Sequence, residues 1–255
     1  MALLEIKNLS RSFGGLQAVS DVSFALEPGL IKAVIGPNGA GKTTLFNLIC
    51  GNIPPSSGSI SFQGQQIEGL AAHQIAALGM SRTFQNIKIF PGMTALENVM
   101  VGCHTRSRAG FIAGMLCLPQ ARREERAIRM KALELLHLLE IDQTADVEAA
   151  SLAFGQQRAV ELARALAAEP SLLLLDEPAA GLNIYETAEL ARLITKIKER
   201  GVTILLVEHD MSLVMDISDE IVVLNFGQKM AEDIPAKIQQ NKEVIQIYLG
   251  DDEDA

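Results

Sequence analysis

The stretch Gly36-Pro37-Asn38-Gly39-Ala40-Gly41-Lys42-Thr43-Thr44 constrains the chain most, because from Gly36 to Thr43 it fits the pattern G-x-x-x-x-G-K-[S/T]. Its flanks sharpen the reading. Leu30–Ile35 is a short, β-branched run ended by glycine, and Thr44–Cys50 has helical spacing up to Gly51. Strand, loop and helix in that order turn successive backbone N–H groups and a positive helix end toward one point, which suits a phosphate. Lys42 would neutralise β- and γ-phosphate oxygens, and the Thr43 hydroxyl suits Mg²⁺, a hard cation that prefers oxygen. The stretch therefore predicts a nucleoside triphosphate site. A glycine-rich turn without a ligand is the alternative that this context argues against.

The 255 residues, 48% of them hydrophobic, suffice for one large domain or a domain with a subdomain. No apolar run approaches the roughly 18 residues needed to span a bilayer, and Met1–Lys7 lacks the apolar core of a signal peptide, so a cytosolic protein is expected. Cys50, Cys103 and Cys117 are scattered and odd in number, as free thiols would be, and Cys103-His104 has no second pair to complete a zinc site. A formal charge of −9 opposes non-specific nucleic-acid binding. The tail Asp251-Asp252-Glu253-Asp254 reads as a solvated terminus.

Along the chain, Ala2–Leu9 and Ala18–Leu26 alternate as half-buried strands, predicting an antiparallel sheet ahead of the phosphate loop. Phe13 in the turn between them would stack on an adenine or pack in the core. After the loop's helix come a Pro/Ser/Gly loop at 54–58, a short hairpin around Ser59–Gly64, a helix over His73–Gly79 and a strand-like stretch over Ser81–Asn86. Composition shifts between about Gly102 and Ala150, where Arg106, Arg108, Arg122, Arg123, Arg126, Arg129 and Lys131 gather and Ala127–Leu139 carries a helical stripe. This predicts an inserted helical subdomain. Its apolar piece Gly110–Leu118 is either packing between helices or a contact for a partner at the membrane surface.

Leu172-Leu173-Leu174-Leu175 suits a strand buried on both faces, and it ends in Asp176-Glu177. Ligands in open α/β sheets bind at the carboxyl ends of such strands. Asp176 is then placed to hold Mg²⁺, and Glu177 to orient or deprotonate water for attack on the γ-phosphate. A further strand, Val202–Val207, ends in Glu208-His209-Asp210, which puts His209 beside the same crevice and in reach of the γ-phosphate.

These residues together resemble the ATP-binding-cassette (ABC) ATPases over nearly the whole chain. The resemblance implies an α/β fold, a P-loop NTPase (RecA-like) core with an antiparallel β subdomain and an inserted α-helical subdomain. It makes 1–255 a single ABC ATPase domain, with 1–86 and 155–255 the core and 87–154 the helical part. Gln85 then matches the glutamine loop that reaches Mg²⁺ and the attacking water, Asp176 and Glu177 the acidic pair, His209 the switch histidine and Phe13 the adenine-stacking aromatic. The family signature, usually L-S-G-G-Q, stands as Leu152-Ala153-Phe154-Gly155-Gln156, so a hydroxyl donor is lost at Ala153 while the loop-to-helix geometry is kept.

Finer features resemble the ATPases of Liv-type branched-chain amino acid importers: Arg82–Asn86, Phe90-Pro91, Leu96–Val99, Leu152–Arg158, Asp176–Asn183, Glu208–Met211 and Ile247–Gly250. The long insert before the signature favours the larger of the two ATPase subunits of such systems. What the resemblance implies is an ATP- and Mg²⁺-dependent motor, peripheral on the inner face of the plasma membrane. Its partners would be two membrane permeases and a second ATPase subunit, whose signature completes each phosphate loop, with an extracytoplasmic solute-binding protein acting indirectly and no nucleic acid. Carriers of urea, another amide or a lipid are the alternatives, followed by a non-transport cassette. The solute is read by subunits other than this chain.

Overall fold

Four successive leucines can all leave water only in a strand covered on both faces, and Leu172–Leu175 are buried without exception. The structure, a computed structural model, describes residues 2–103 and 119–250. Arg106, Arg108, the apolar piece 110–118 with Cys117, and the acidic tail lie outside the described residues. There are two compact units, Met1–Arg82 with Ser171–Ala255, and Thr83–Pro170. In chain order the first unit holds β1 (Leu4–Phe13), β2 (Leu16–Leu26), β3 (Ile31–Ile35), α1 (Lys42–Ile49), β4 (Ser57–Phe62), β5 (Gln65–Gln66), α2 (Ala72–Ala77) and β6 (Met80–Arg82). The second contributes α3 (Ala95–Gly102), α4 (Pro119–Leu138) and α5 (Phe154–Ala167). The first resumes with β7 (Leu172–Asp176), α6 (Ile184–Glu199), β8 (Thr203–Val207), α7 (Met211–Ile217), β9 (Glu220–Asn225), β10 (Gln228–Asp233), α8 (Pro235–Ile238) and α9 (Lys242–Gly250).

The first unit carries two sheets, a four-stranded one ordered β2-β1-β4-β5 and a six-stranded one ordered β10-β9-β3-β8-β7-β6. The smaller is antiparallel throughout. The larger is parallel apart from β10, which runs antiparallel to β9. Because side chains alternate along a strand, one face of the larger sheet is built from Val34, Leu172, Leu174, Leu205, Val207, Val222 and Leu224. These join one apolar cluster with Leu45, Phe46 and Ile49 of α1 and with Leu4, Ile6, Phe24, Ile60 and Phe62 of the antiparallel sheet. Each such side chain stabilises the fold by about 1.5–3 kcal/mol. Helix α1 is therefore held between two sheets, which makes its amino end a rigid platform.

Lys32 interrupts the apolar β3 run yet is almost fully buried. Its ammonium bonds the Ala25 carbonyl of β2 and pairs with Glu220 at 2.9 Å and Glu232 at 2.6 Å, so it clasps β2 to β9 and β10. Asn183 caps α6 reciprocally: its side chain accepts from Tyr185 and Glu186 N–H, and Glu186 accepts from Asn183 N–H. That role suits asparagine at the position.

In the second unit, the strand expected over Ser81–Asn86 stops at Arg82. The carbonyls of Phe84 and Gln85 are taken instead by the guanidinium of Arg158, at 2.9 and 3.0 Å. Arg158 is also paired with Glu161 at 2.9 Å, both side chains at most 2% exposed. The second unit thus begins before residue 87 and runs past residue 154, because α5 packs with α3 and α4. Helix α4 covers Pro119–Leu138 and so extends further back than the apolar stripe indicated. Arg122, Arg123 and Arg126 on its first turns are exposed, so that half has no apolar period to read. Asn98, fully buried in α3, accepts from Phe90 N–H and donates to the Phe90 and Thr94 carbonyls, which pins the Phe90-Pro91 loop.

Arg158→Ala leaves Glu161 buried without its main counter-charge and releases two carbonyls, at an expected cost of about 3–5 kcal/mol. Chemical denaturation should read this as an earlier unfolding midpoint. An unchanged midpoint would show that the buried pair is energetically neutral.

Candidate functional site

The strand ladder aligns the chemistry. Val34 of β3 and Asp176 of β7 both pair with Val207 of β8, so three neighbouring parallel strands end on one level. Just beyond that row come the phosphate loop, Glu177, and Glu208-His209. Glycine is required in the loop at two positions. At Gly36 (φ 149°) an added Cβ would stand 2.1 Å from the Leu224 carbonyl oxygen, and at Gly41 (φ 101°) 2.4 Å from that of Ala18. Helix α1 begins directly after Gly41 with no acidic residue in its first turn, so its positive end stays uncompensated.

Lys42 folds back over the loop, its Nζ donating to the Gly36 and Pro37 carbonyls at 2.5 and 3.0 Å. Burial lowers its pKa and the charge of Glu177 acts in the opposite direction. A polyanion seated against the loop would favour the charged ammonium and relieve that penalty. A cleft of about 460 Å³ opens over this end of the helix, lined by Phe13, Asn38, Gly39, Ala40, Gly41, Lys42, Thr43, Thr44 and Glu177, together with Leu16, Gln17, Ala18 and Phe226. The structure thus gathers most of the expected phosphate-loop residues, Phe13 and Glu177 around one volume. Gly36 and Pro37 form the entry to the loop. Phe13 is 43% exposed on the cleft wall, with the Arg11 guanidinium 4.7 Å from its ring centroid. Core packing is not its role.

Asp176 ends β7 with its carboxylate against Arg82, Nη2 to Oδ2 2.6 Å, in a pair whose side chains are at most 10% exposed. Arg82 is held in turn by Asn47 Oδ1 at 2.7 Å. Thr43 lines the cleft and Asp176 does not; a hydroxyl and a carboxylate would offer the oxygen donors that Mg²⁺ prefers, and Arg82 holds that carboxylate. The sequence named Arg82 only within the Liv-type stretch Arg82–Asn86 and gave it no partner.

Glu177 sits at φ 46°, unusual for a residue with a side chain, and its N–H donates to the Val207 carbonyl at 2.8 Å. Such a conformation costs about 1–3 kcal/mol and persists where its surroundings impose it. His209, exposed, has Nδ1 3.9 Å from Glu177 Oε2 and 3.7 Å from Glu208 Oε2. Glu208, with no exposure at all, accepts N–H bonds from Ala179 at 2.7 Å, His209 at 2.9 Å and Asp210 at 3.3 Å. One buried carboxylate therefore ties the loop after β7 to the loop after β8. Sequence reasoning missed this clamp, although an acid directly after the mostly apolar run Thr203–Val207 signalled it.

Gln85 and Ala153–Gln156 belong to the second unit. Gln85 is exposed, and its carbonyl is the one held by Arg158. Ala153 is the N-cap of α5 and has no side-chain oxygen. Gln156 Oε1 accepts from the Ala153 N–H at 3.3 Å, and Gln157 Nε2 donates to the Leu152 carbonyl at 2.8 Å. The loop-to-helix turn is thus held without serine. Phe154 is 44% exposed, 6.0 Å from the Arg158 guanidinium. Among the described residues no group of three or more His, Cys, Asp or Glu side chains could hold a metal by itself.

The family model described as ABC transporter matches residues 19–180. The chain is similar to the high-affinity branched-chain amino acid transport ATP-binding protein BraF of Pseudomonas aeruginosa, at 46% identity over 98% of each chain. It is similar to LivG of Escherichia coli, which carries the same description, at 44% identity over 98% of each. Among solved structures it resembles the ADP conformation of an ATP-binding cassette of an ABC transporter, with a TM-score of 0.85 and 29% identity, covering 98% of this chain and 99% of that one.

Lys42→Ala removes the loop's fixed cation and is expected to abolish ATP binding or hydrolysis. Wild-type affinity and turnover in that variant would refute the assignment of the loop. Glu208→Gln turns an accepting oxygen into a donating NH₂ against buried N–H groups. It should lower kcat roughly tenfold with KM little changed, since one unmatched buried donor costs about 1–3 kcal/mol. Steady-state kinetics at saturating ATP provide the check.

Proposed function

The chain belongs to the ABC transporter family, and from that premise we propose that it is the ATP-hydrolysing subunit of a branched-chain amino acid importer. It is an ATPase whose substrate is ATP with Mg²⁺. The observation that supports this solute class is the full-length likeness to two ATP-binding proteins of branched-chain amino acid transport. The cleft supplies the chemistry. ATP lies with its phosphates against the loop N–H groups and the amino end of α1, and its base toward Phe13. Lys42 leaves its own loop carbonyls for the β- and γ-phosphate oxygens. Mg²⁺ would be held through Thr43 and Asp176 and would supply charge neutralisation on those phosphates. Glu177 takes a proton from the attacking water, and His209 donates a hydrogen bond to a γ-phosphate oxygen. Arg82 keeps Asp176 in place, and Glu208 keeps the loops of Glu177 and His209 in register.

A subunit of this kind works with membrane permeases and pairs with another cassette. In the finer reading there are two permeases, the second cassette is a non-identical ATPase, a solute-binding protein feeds the complex from outside, and this chain lies on the inner face of the membrane. No helix among the described residues is long and apolar enough to cross a membrane. Each cassette offers Ala153–Gln156 at the head of α5 to the phosphate loop of the other, adding N–H donors where transition-state charge develops. The lone chain is then a poor ATPase.

Glu177→Gln keeps the shape of the base, removes carboxylate–phosphate repulsion and should trap an ATP-bound pair of cassettes. Size-exclusion chromatography with light scattering, run with and without ATP and with the second ATPase, reads the pairing. Absence of an ATP-dependent dimer in every mixture would exclude the shared site. For the solute, the complex with its permeases is expected to raise ATP turnover when leucine, isoleucine or valine is delivered. Stimulation by urea or a lipid instead would overturn the importer assignment while leaving the ATPase intact.

A further inference from the structure

The turn between β9 and β10 breaks a local rule. Asn225 pairs with Gln228, so the loop is the two residues Phe226 and Gly227, with φ angles of 44° and 78°. Two positive φ angles in a two-residue hairpin describe a type I′ turn, which favours Asn-Gly. Gly227 fits the second position. Phe226 at the first is a bulky side chain in a region that such residues avoid, and it is 85% exposed, so burial does not offset the strain. Departures of this kind collect at functional positions.

The turn is also fastened to the phosphate loop. The Gly227 N–H donates to the Ala40 carbonyl at 3.0 Å, and the Gly227 carbonyl accepts from Ser20 N–H at 2.8 Å. The strand leading into the turn touches the loop as well, since the Leu224 carbonyl is what excludes a Cβ at Gly36. The backbone that carries Phe226 is thus fixed relative to the phosphate site. Its side chain lines the same cleft as Phe13, Lys42 and Thr43. Phe13, Leu16 and Phe226 together give a cleft with cationic and N–H donor groups at the loop an apolar, largely exposed margin.

We propose that Phe226 is a nucleotide-contacting residue, a second aromatic surface beside Phe13 for the base and sugar of the bound nucleotide. The inference rests on the reading that this cleft takes ATP. Because the turn fixes the backbone, only the ring's own rotation has to be ordered on binding, and base–aromatic contact depends on the π-face rather than on hydrogen-bond pattern. The residue would therefore add affinity for the nucleoside without touching the phosphates.

The test compares ATP with inorganic tripolyphosphate, titrated calorimetrically or by displacement of ATP, on the full chain. Phe226→Asn removes the ring and supplies the residue that the turn prefers, so thermal stability should be kept or raised. Phe226→Ala serves as a second truncation. Both are expected to weaken ATP binding roughly tenfold and to leave tripolyphosphate binding unchanged. Because the chain contains no tryptophan, Phe226→Trp provides a single reporter whose emission should change on adding ATP and not on adding tripolyphosphate. Equal ATP affinity in wild type and Phe226→Asn overturns the inference and leaves the ATPase reading standing, with the exposed ring then left to a protein partner. Equal loss of ATP and tripolyphosphate also overturns it, by showing an effect on the phosphate loop. If wild type itself fails to bind ATP, the ATPase reading fails first.

Discussion

The molecule depends on one constraint, the backbone ladder that brings β3, β8 and β7 to an end on a common level. Each strand leaves its chemistry just past its last paired residue: the phosphate loop after Ile35, Glu208-His209 after Val207, and Glu177 after Asp176. Parallel hydrogen bonding sets neighbouring strands about 5 Å apart, and burial on both faces prevents register slips, which would expose whole apolar rows. The packing of α1 between two sheets serves the same end. It fixes the helix dipole and Lys42 relative to Glu177.

Within each unit, buried cations are matched by carboxylates. Arg82 with Asp176, Arg158 with Glu161, and Lys32 with Glu220 and Glu232 each put a cation with little exposure against a carboxylate. At Glu232, burial pushes the carboxyl pKa up, but hydrogen bonds from Lys229 and Lys32 outweigh it and the net shift is downward. Glu208 is different, because it accepts hydrogen bonds from three backbone N–H groups. An anion so held acts as a hinge pin between two loops. Pairs of this sort add little net stability over apolar packing, yet they define one geometry sharply because breaking them is costly.

Lys42 illustrates how the site is poised. Its ammonium is satisfied by two carbonyls of its own loop and is disfavoured by burial. A phosphate replaces weak neutral acceptors with strong anionic ones, so the same burial that lowers its pKa strengthens the contact once ligand is present. Glu177, in its strained conformation beside the cleft, likewise has its position imposed by the Val207 carbonyl.

The sequence by itself determined whatever depends on short-range backbone chemistry. The glycines at 36 and 41, the four-leucine strand, the acids after it and the histidine after β8 were legible because loop turns and strand burial leave their mark within a few residues. So was the family. The ends of elements were less legible: the strand expected over 81–86 stops at Arg82, and Arg158, far along the chain, takes the carbonyls of Phe84 and Gln85. The basic start of α4 has no apolar period to betray it. Only the tertiary structure decided the partner of Asp176, the anchoring of two loops by Glu208, and the strained turn that sets Phe226 at the cleft. The physical reason is common to all three. A buried charge or an exposed ring on an anchored turn takes its meaning from groups brought near by the sheet order, and sheet order, unlike strand or loop propensity, is a property of the whole chain's packing.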